Sequence, residues 1–158
     1  MNKRIIVSAI AGLGMAGCCF GGGGAAAAPI SLGPGFTPDP NTATGSAGGV
    51  SDASTFGAGC LGHISLTPNH TLTVSGQIPY MRIVANAAED ITLVVRRPDG
   101  TYMCNDDTEG YNPMVEGAFP PGNYDVFVGS YSSEGQFASY RIGFSANQAT
   151  QPSTIGAP

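Results

Sequence analysis

From Leu72 to Phe144 large apolar residues recur at every second position, and no stretch of that span shows helical spacing together with a cap and a stop. Leu72 and Val74 alternate with Thr71 and Thr73, and Ile91, Leu93 and Val95 with Thr92, Val94 and Arg96. Tyr124, Val126 and Val128 alternate with Asp125, Phe127 and Gly129, and Tyr140, Ile142 and Phe144 with Arg141 and Gly143. Successive side chains of an extended chain point to opposite faces, so this period predicts strands with one face buried. Turn-forming runs separate them: Pro98-Asp99-Gly100, Asn112-Pro113 and Pro120-Pro121-Gly122-Asn123. About seven or eight short strands at this spacing, with no helix between them, predict an all-β fold, an antiparallel β-sandwich.

The flanks lack that pattern. Lys3 and Arg4 precede an apolar stretch, Ile5 to Ala16, which reads as an export signal. Two endings compete. Met15-Ala16-Gly17-Cys18 resembles a lipoprotein box, which would make 1–17 the leader and Cys18 the lipidated residue. Ordinary cleavage within Ala25 to Ala28 would instead remove residues 1–27. Residues 28–54 are rich in Gly, Ala, Pro, Ser and Thr and poor in large apolar side chains, so a flexible linker is expected there. Residues 147–158 have a similar composition and read as a disordered tail, leaving 55–146 as the sandwich. Export implies a periplasmic, secreted or lipid-anchored protein at the bacterial envelope.

Loss of Lys3 and Arg4 with the signal sharpens the charge balance. Arg82, Arg96, Arg97 and Arg141 then face eleven carboxylates with no lysine, a net charge of −7. Such a surface repels nucleic acid and anionic lipid, so neither is an expected partner, and the membrane enters only through a lipid on Cys18. A protein or polysaccharide surface fits better. Cys60 and Cys104 are the two cysteines of the sandwich, and in an oxidising compartment they most simply pair. So long a loop gives a model-dependent stabilisation on the order of 4 kcal/mol. The alternative is two separate buried thiols.

Catalytic signals are missing. His63 and His70 have neither helical zinc spacing nor a finger pattern, and no G-x-S-x-G or H-E-x-x-H occurs. Both histidines are expected at turns or on the surface. The chemistry concentrates in Tyr102 to Gly117, "YMCNDDTEGYNPMVEG". On a twelve-residue calcium loop, Asn105, Asp107 and Glu109 fall on the first, third and fifth places, Gly110 on the turn and Glu116 on the bidentate place. Strand-like flanks exclude an EF-hand. A strand-loop-strand Ca²⁺ site and a plain polar turn both stand as readings of this stretch.

The segment Asp90 to Tyr131 carries a strand opening on Asp, then Pro-Asp-Gly, a Cys followed by Asp-Asp, Asn-Pro, and a P-x-G-x-Y-x-V-x-V-G-S-Y run. It resembles the bacterial pre-peptidase C-terminal domain and its stand-alone relatives, and the resemblance extends over roughly residues 55–144. It implies a jelly-roll β-sandwich, non-catalytic, assisting secretion, substrate attachment or cell-surface localisation, with Ca²⁺ near acidic loops in some relatives. By position Asp90 would open the inner strand, and Asp106 and Asp107 would form the acidic turn. No protease precedes the domain in this chain, so a stand-alone exported module is expected. A small secreted hydrolase, or an accessory factor of a secreted protease, is the alternative. Phe127, facing opposite to Val126 and Val128, is a candidate for an exposed binding patch.

Overall fold

The computed structural model describes residues 28–132 and 134–158. The signal at 1–27 and Cys18 with its lipid box lie outside the described residues. Eleven strands are described: β1 (Ile30–Leu32), β2 (Asn41–Ala47), β3 (Ser51–Asp52), β4 (His63–Ile64), β5 (His70–Val74), β6 (Ile78–Ala87), β7 (Ile91–Arg96), β8 (Tyr102–Asn105), β9 (Met114–Phe119), β10 (Gly122–Ser130) and β11 (Ala138–Ser145). They form a sandwich. The seven-stranded sheet is built around β10, which pairs with β5 and β4 on one side and with β7 on the other. Beyond these, β1 adds to β5, β3 to β4, and β8 to β7. The four-stranded sheet runs β2-β11-β6-β9. All pairings are antiparallel except β1 with β5.

The alternation becomes the core. Leu72, Val74, Leu93, Val95, Tyr124, Val126 and Val128 project from one sheet onto Met81, Ile83, Val115, Tyr140, Ile142 and Phe144 of the other. Each fully buried side chain of this kind contributes roughly 1.5–3 kcal/mol of transfer free energy, set against the entropy of ordering the strands. Tyr124 keeps its hydroxyl satisfied inside this layer by donating to the Pro120 carbonyl at 2.8 Å.

Two expectations fail at the flanks. The segment read as a flexible linker contains β1, β2 and β3, and the tail ends in a 3-10 turn, Pro152–Ile155. β2 is an edge strand of Asn, Thr, Ala, Gly and Ser held by register with β11 from Asn41–Phe144 to Ala47–Ala138. Main-chain pairing leaves no trace in side-chain hydrophobicity, which is why composition mistook it for a linker. Gly45 in β2 is required by packing, because a Cβ there would collide with the Tyr140 hydroxyl.

Neither outer sheet face is bare. Residues 53–62 cross the seven-stranded sheet, where Ala53, Cys60 and Ile64 pack on Val94 with Phe56, Tyr102, Cys104 and Phe127 around them. Phe127 is therefore half-covered and is not the exposed patch expected from its parity. The C-terminal residues cross the four-stranded sheet, with Ile155 buried beside Gly143 and Val84. The connections β6–β7, β8–β9 and β10–β11 all emerge at one end of the sandwich, together with loops 48–50 and 65–69. That loop end is the part of the fold relevant to function.

Candidate functional site

The acidic stretch folds as a tight turn between β8 and β9. The Glu109 and Asn112 amides each donate to the other residue's carbonyl, at 3.1 and 3.2 Å, and Gly110 takes φ 62° at the tip. Asn105 organises it from below: its Oδ1 accepts from the Met114 amide at 2.9 Å and from the Thr108 hydroxyl at 2.7 Å. Both lone pairs of that amide oxygen are thereby used. From Met114 onward the chain is a strand, so the curl that a twelve-residue calcium loop needs is absent.

This disperses the expected ligand set. Glu116 points from β9 onto the outer face of the four-stranded sheet, where Arg82 Nε donates to its Oε2 at 2.7 Å and the Tyr80 hydroxyl donates to the same oxygen. Glu109 reaches the C-terminal segment and accepts from the Ser153 amide at 2.8 Å and the Ser153 hydroxyl at 2.7 Å. Those bonds, the amide first, hold its carboxyl below the usual range. Asp106 and Asp107 lie within electrostatic reach of Asp90. Asp90 Oδ1 is shielded from water without a hydrogen-bond partner among the described residues, and burial, then the charges of Asp107 and Asp106, push its pKa up. Among the described residues no three His, Cys, Asp or Glu side chains converge closely enough to share a metal ion. As drawn from sequence, the six-residue calcium set of Asn105, Asp106, Asp107, Glu109, Glu116 and Asp90 does not assemble.

Cys104 bonds to Cys60 across 44 residues of sequence, so the expected disulfide forms. The histidines depart from expectation. His70 is buried against Tyr140, its Nε2 2.8 Å from the tyrosine hydroxyl, with the rings edge-on at 5.8 Å. Burial lowers the His70 pKa and pushes that of Tyr140 well above its ordinary value. His63 is half-buried on β4 and its Nδ1 has no partner. Neither histidine hydrogen-bonds a serine or a carboxylate among the described residues, so the geometry a nucleophile and base require is missing there.

Sequence reasoning missed the most exposed feature of the loop end. Among the described residues the exposed large apolar side chains are Val50, Leu61, Leu66, Tyr111, Tyr131 and Phe137, and all but Leu61, which belongs to the 53–62 crossing, sit on connections at that end. Three of them surround one close-packed junction. A Cβ on Gly48 would strike the Gln136 carbonyl and one on Gly49 the Ile64 carbonyl, so loops 48–50, 65–69 and β10–β11 meet backbone to backbone. The Gly48 amide donates to the Val128 carbonyl at 3.0 Å and the Gly135 amide to the Gly49 carbonyl at 3.1 Å. Asn69 fastens the third loop, donating to the Ser46 carbonyl at 2.9 Å and accepting from the Val128 amide at 2.8 Å. Val50, Leu66 and Phe137 are thus presented to solvent at 55, 80 and 69% exposure from a braced backbone. Glycine pairs beside isolated apolar residues in turns were the available signal.

No family model matches the chain. An uncharacterized protein of Synechococcus elongatus is 33% identical over 88 residues, which is 53% of this chain and 63% of that protein, so the match spans less than two thirds of the relative's length. The fold is similar to the pre-peptidase C-terminal domain of a collagenase from Bacillus anthracis, with TM-score 0.45 and 16% identity over 74% of this chain and 94% of that one. It is also similar to a periplasmic inhibitor of g-type lysozyme from Aeromonas hydrophila, with TM-score 0.41 and 15% identity over 74% of this chain and 96% of that one.

Proposed function

We propose that the chain is an exported, non-catalytic β-sandwich module that works at the cell surface or in the periplasm by presenting its loop end as a contact surface. The observation carrying this reading is the gathering of exposed Val50, Leu66, Tyr111, Tyr131 and Phe137 on braced connections at one end. Large apolar side chains held in water cost free energy, and a rigid frame under them lowers the ordering cost of an encounter. The Cys60–Cys104 bond supports export, since such bonds persist in oxidising compartments. Fractionation of a bacterial host producing the full chain tests the location. The protein should appear in the periplasm, medium or envelope with its cysteines resistant to alkylation; a cytoplasmic protein with free thiols would remove the reading.

Calcium enters this proposal only as an ion held at the Asp106–Asp107 turn, whose charge would relieve the repulsion these two carboxylates exert on Asp90. Melting with calcium and with a chelator tests that part separately. A midpoint raised by calcium in the native protein but not in Asp106→Asn/Asp107→Asn supports it, and equal midpoints remove it.

A further inference from the structure

The two faces of the loop end have complementary chemistry. Around Gly48 and Gly49 it is apolar: Val50, Leu66 and Phe137. Beside that lies an acidic and aromatic corner. The Tyr131 amide donates to the Asp90 carbonyl at 3.1 Å and the Ile91 amide to the Tyr111 carbonyl at 3.4 Å, so both exposed tyrosines are anchored to the Asp90–Ile91 backbone. Asp106 and Asp107 open the neighbouring turn directly after the Asn105–Leu93 pair, alongside the start of β7 that follows Asp90. Glu89 and Glu134 add two more exposed carboxylates on the same connections. No arginine or lysine lies on these loops; Arg82, Arg96 and Arg141 are on strands, and Arg97 follows β7 at the opposite end. Among the described residues no basic side chain neutralises the corner, and its shielded Asp90 oxygen has no donor.

We infer that the loop end docks a basic polypeptide, seating apolar side chains of the partner on Val50, Leu66 and Phe137 and an arginine or lysine in the Asp90–Asp106–Asp107 corner between Tyr111 and Tyr131. The charge of the corner selects the partner. A guanidinium can donate to two carboxylate oxygens at once and stack on a tyrosine face, whereas an acidic or neutral chain leaves the carboxylates unpaired. A guanidinium also carries its own donors on a long stem, so it can reach carboxylates held on two neighbouring loops. The apolar platform supplies the affinity and the acidic corner the discrimination. This inference rests on the reading that the loop end is the working surface.

The test is fluorescence anisotropy on the full disulfide-bonded chain with labelled short peptides of alternating Arg and Trp, Arg and Gly, and Glu and Trp. The Arg-Trp peptide should bind about tenfold more tightly than either control, and more weakly as salt rises. Leu66→Ser/Phe137→Ser and, independently, Asp106→Asn/Asp107→Asn should each lose about tenfold while melting at or above the native midpoint. Equal affinity for the Glu-Trp peptide, or variants that bind like the native chain, would overturn the basic-partner assignment. So would two other outcomes that assign the platform elsewhere: a concentration-dependent dimer abolished by Leu66→Ser/Phe137→Ser, or retention on peptidoglycan sacculi lost in that variant. Failure with the protein still exported removes only this partner; a cytoplasmic protein removes the exported-module reading whatever the peptides do.

Discussion

The two sheets of this sandwich are covered on their outer faces by segments of opposite chemistry. Residues 53–62 hold to the seven-stranded sheet through apolar contact and a covalent bond: Ala53 and Cys60 on Val94 and Ile64, Phe56 against Tyr102 at 5.1 Å between ring centroids, and Cys60 bonded to Cys104. Residues 147–157 hold to the four-stranded sheet through two buried apolar residues, Pro152 and Ile155, and a set of polar contacts. Arg82 donates to the Thr150 carbonyl at 3.0 Å, Asn86 to Gly156 at 3.0 Å, Arg141 to Ala157 at 2.9 Å, and Ser153 to Glu109. A short segment without strand pairing can be ordered by either route. The first depends on redox state and the second on charge, so the two coverings should respond to different perturbations.

The sharpest break between them is reduction. Cys60→Ser, or dithiothreitol on the native chain, should cost about 2–5 kcal/mol in urea unfolding. Hydrogen exchange should quicken around Ala53 and Cys60 while the amides of Ser153 and Thr154 keep their protection. Equal quickening in both segments would mean that they form one cooperative unit.

The converse break is Ile155→Ala. Removing this buried side chain at the edge of the packing should cost about 2 kcal/mol and loosen only the C-terminal segment. Limited proteolysis should then release residues beyond Asn147 while the disulfide-linked segment stays intact. A gentler version leaves the segment's own sequence alone. A Cβ on Gly143 would stand 2.9 Å from Ile155 Cγ2 and 3.4 Å from Val84 Cγ2. Gly143→Ala should therefore lift the C-terminal segment at a cost of about 1 kcal/mol, read as a lower urea midpoint with the same local release.

The smallest effect sharpens the charge side of the comparison. The folded-state pKa of Glu109 is depressed, so its contribution is present above the unfolded value of 4.5 and is lost as pH falls through the folded value. Exchange at Ser153 should accelerate in that acid range and at Cys60 should not. Glu109→Gln should cost less than about 1 kcal/mol near neutrality and flatten that local acid response. Buried His70 adds a separate effect that begins higher. Its folded pKa is lowered, so the unfolded chain takes up the proton first and global stability falls as pH drops below 6.5. Local exchange at Ser153 separates the two.

Legibility in the sequence followed from where each contact is made. Strands β5, β10 and β11 announced themselves because the inner face of each is buried throughout and the outer one is less so, which writes a period of two into the side chains, while β7 is buried on both faces with Val94 under the 53–62 crossing. The Cys60–Cys104 bond was legible by elimination among few cysteines. β2 was not, since what orders it is the backbone of β11. The carboxylates illustrate the same limit. Spacing placed Glu109 and Glu116 beside Asp107, but Ser153 and Arg82, distant in sequence, claim them. His70 looked like a turn residue because Tyr140, its partner, lies 70 positions away. Of the expected acidic set, Asp90, Asp106 and Asp107 stand on connections that the pairing of β7 with β8 brings side by side.

The hydrogen bonds from Asn86 to Gly156 and from Arg141 to Ala157 also fix an exit point for the chain. Asn86 and Arg141 are register partners one row from the rim where β6 gives way to its loop. Polypeptide continuing past Pro158, whether a natural neighbour or an affinity tag, therefore departs beside the loop end and shadows it. A handle for tethering or imaging this protein belongs at the far rim, on the solvent-exposed Pro98–Gly100 turn, where the loop end is left facing outward.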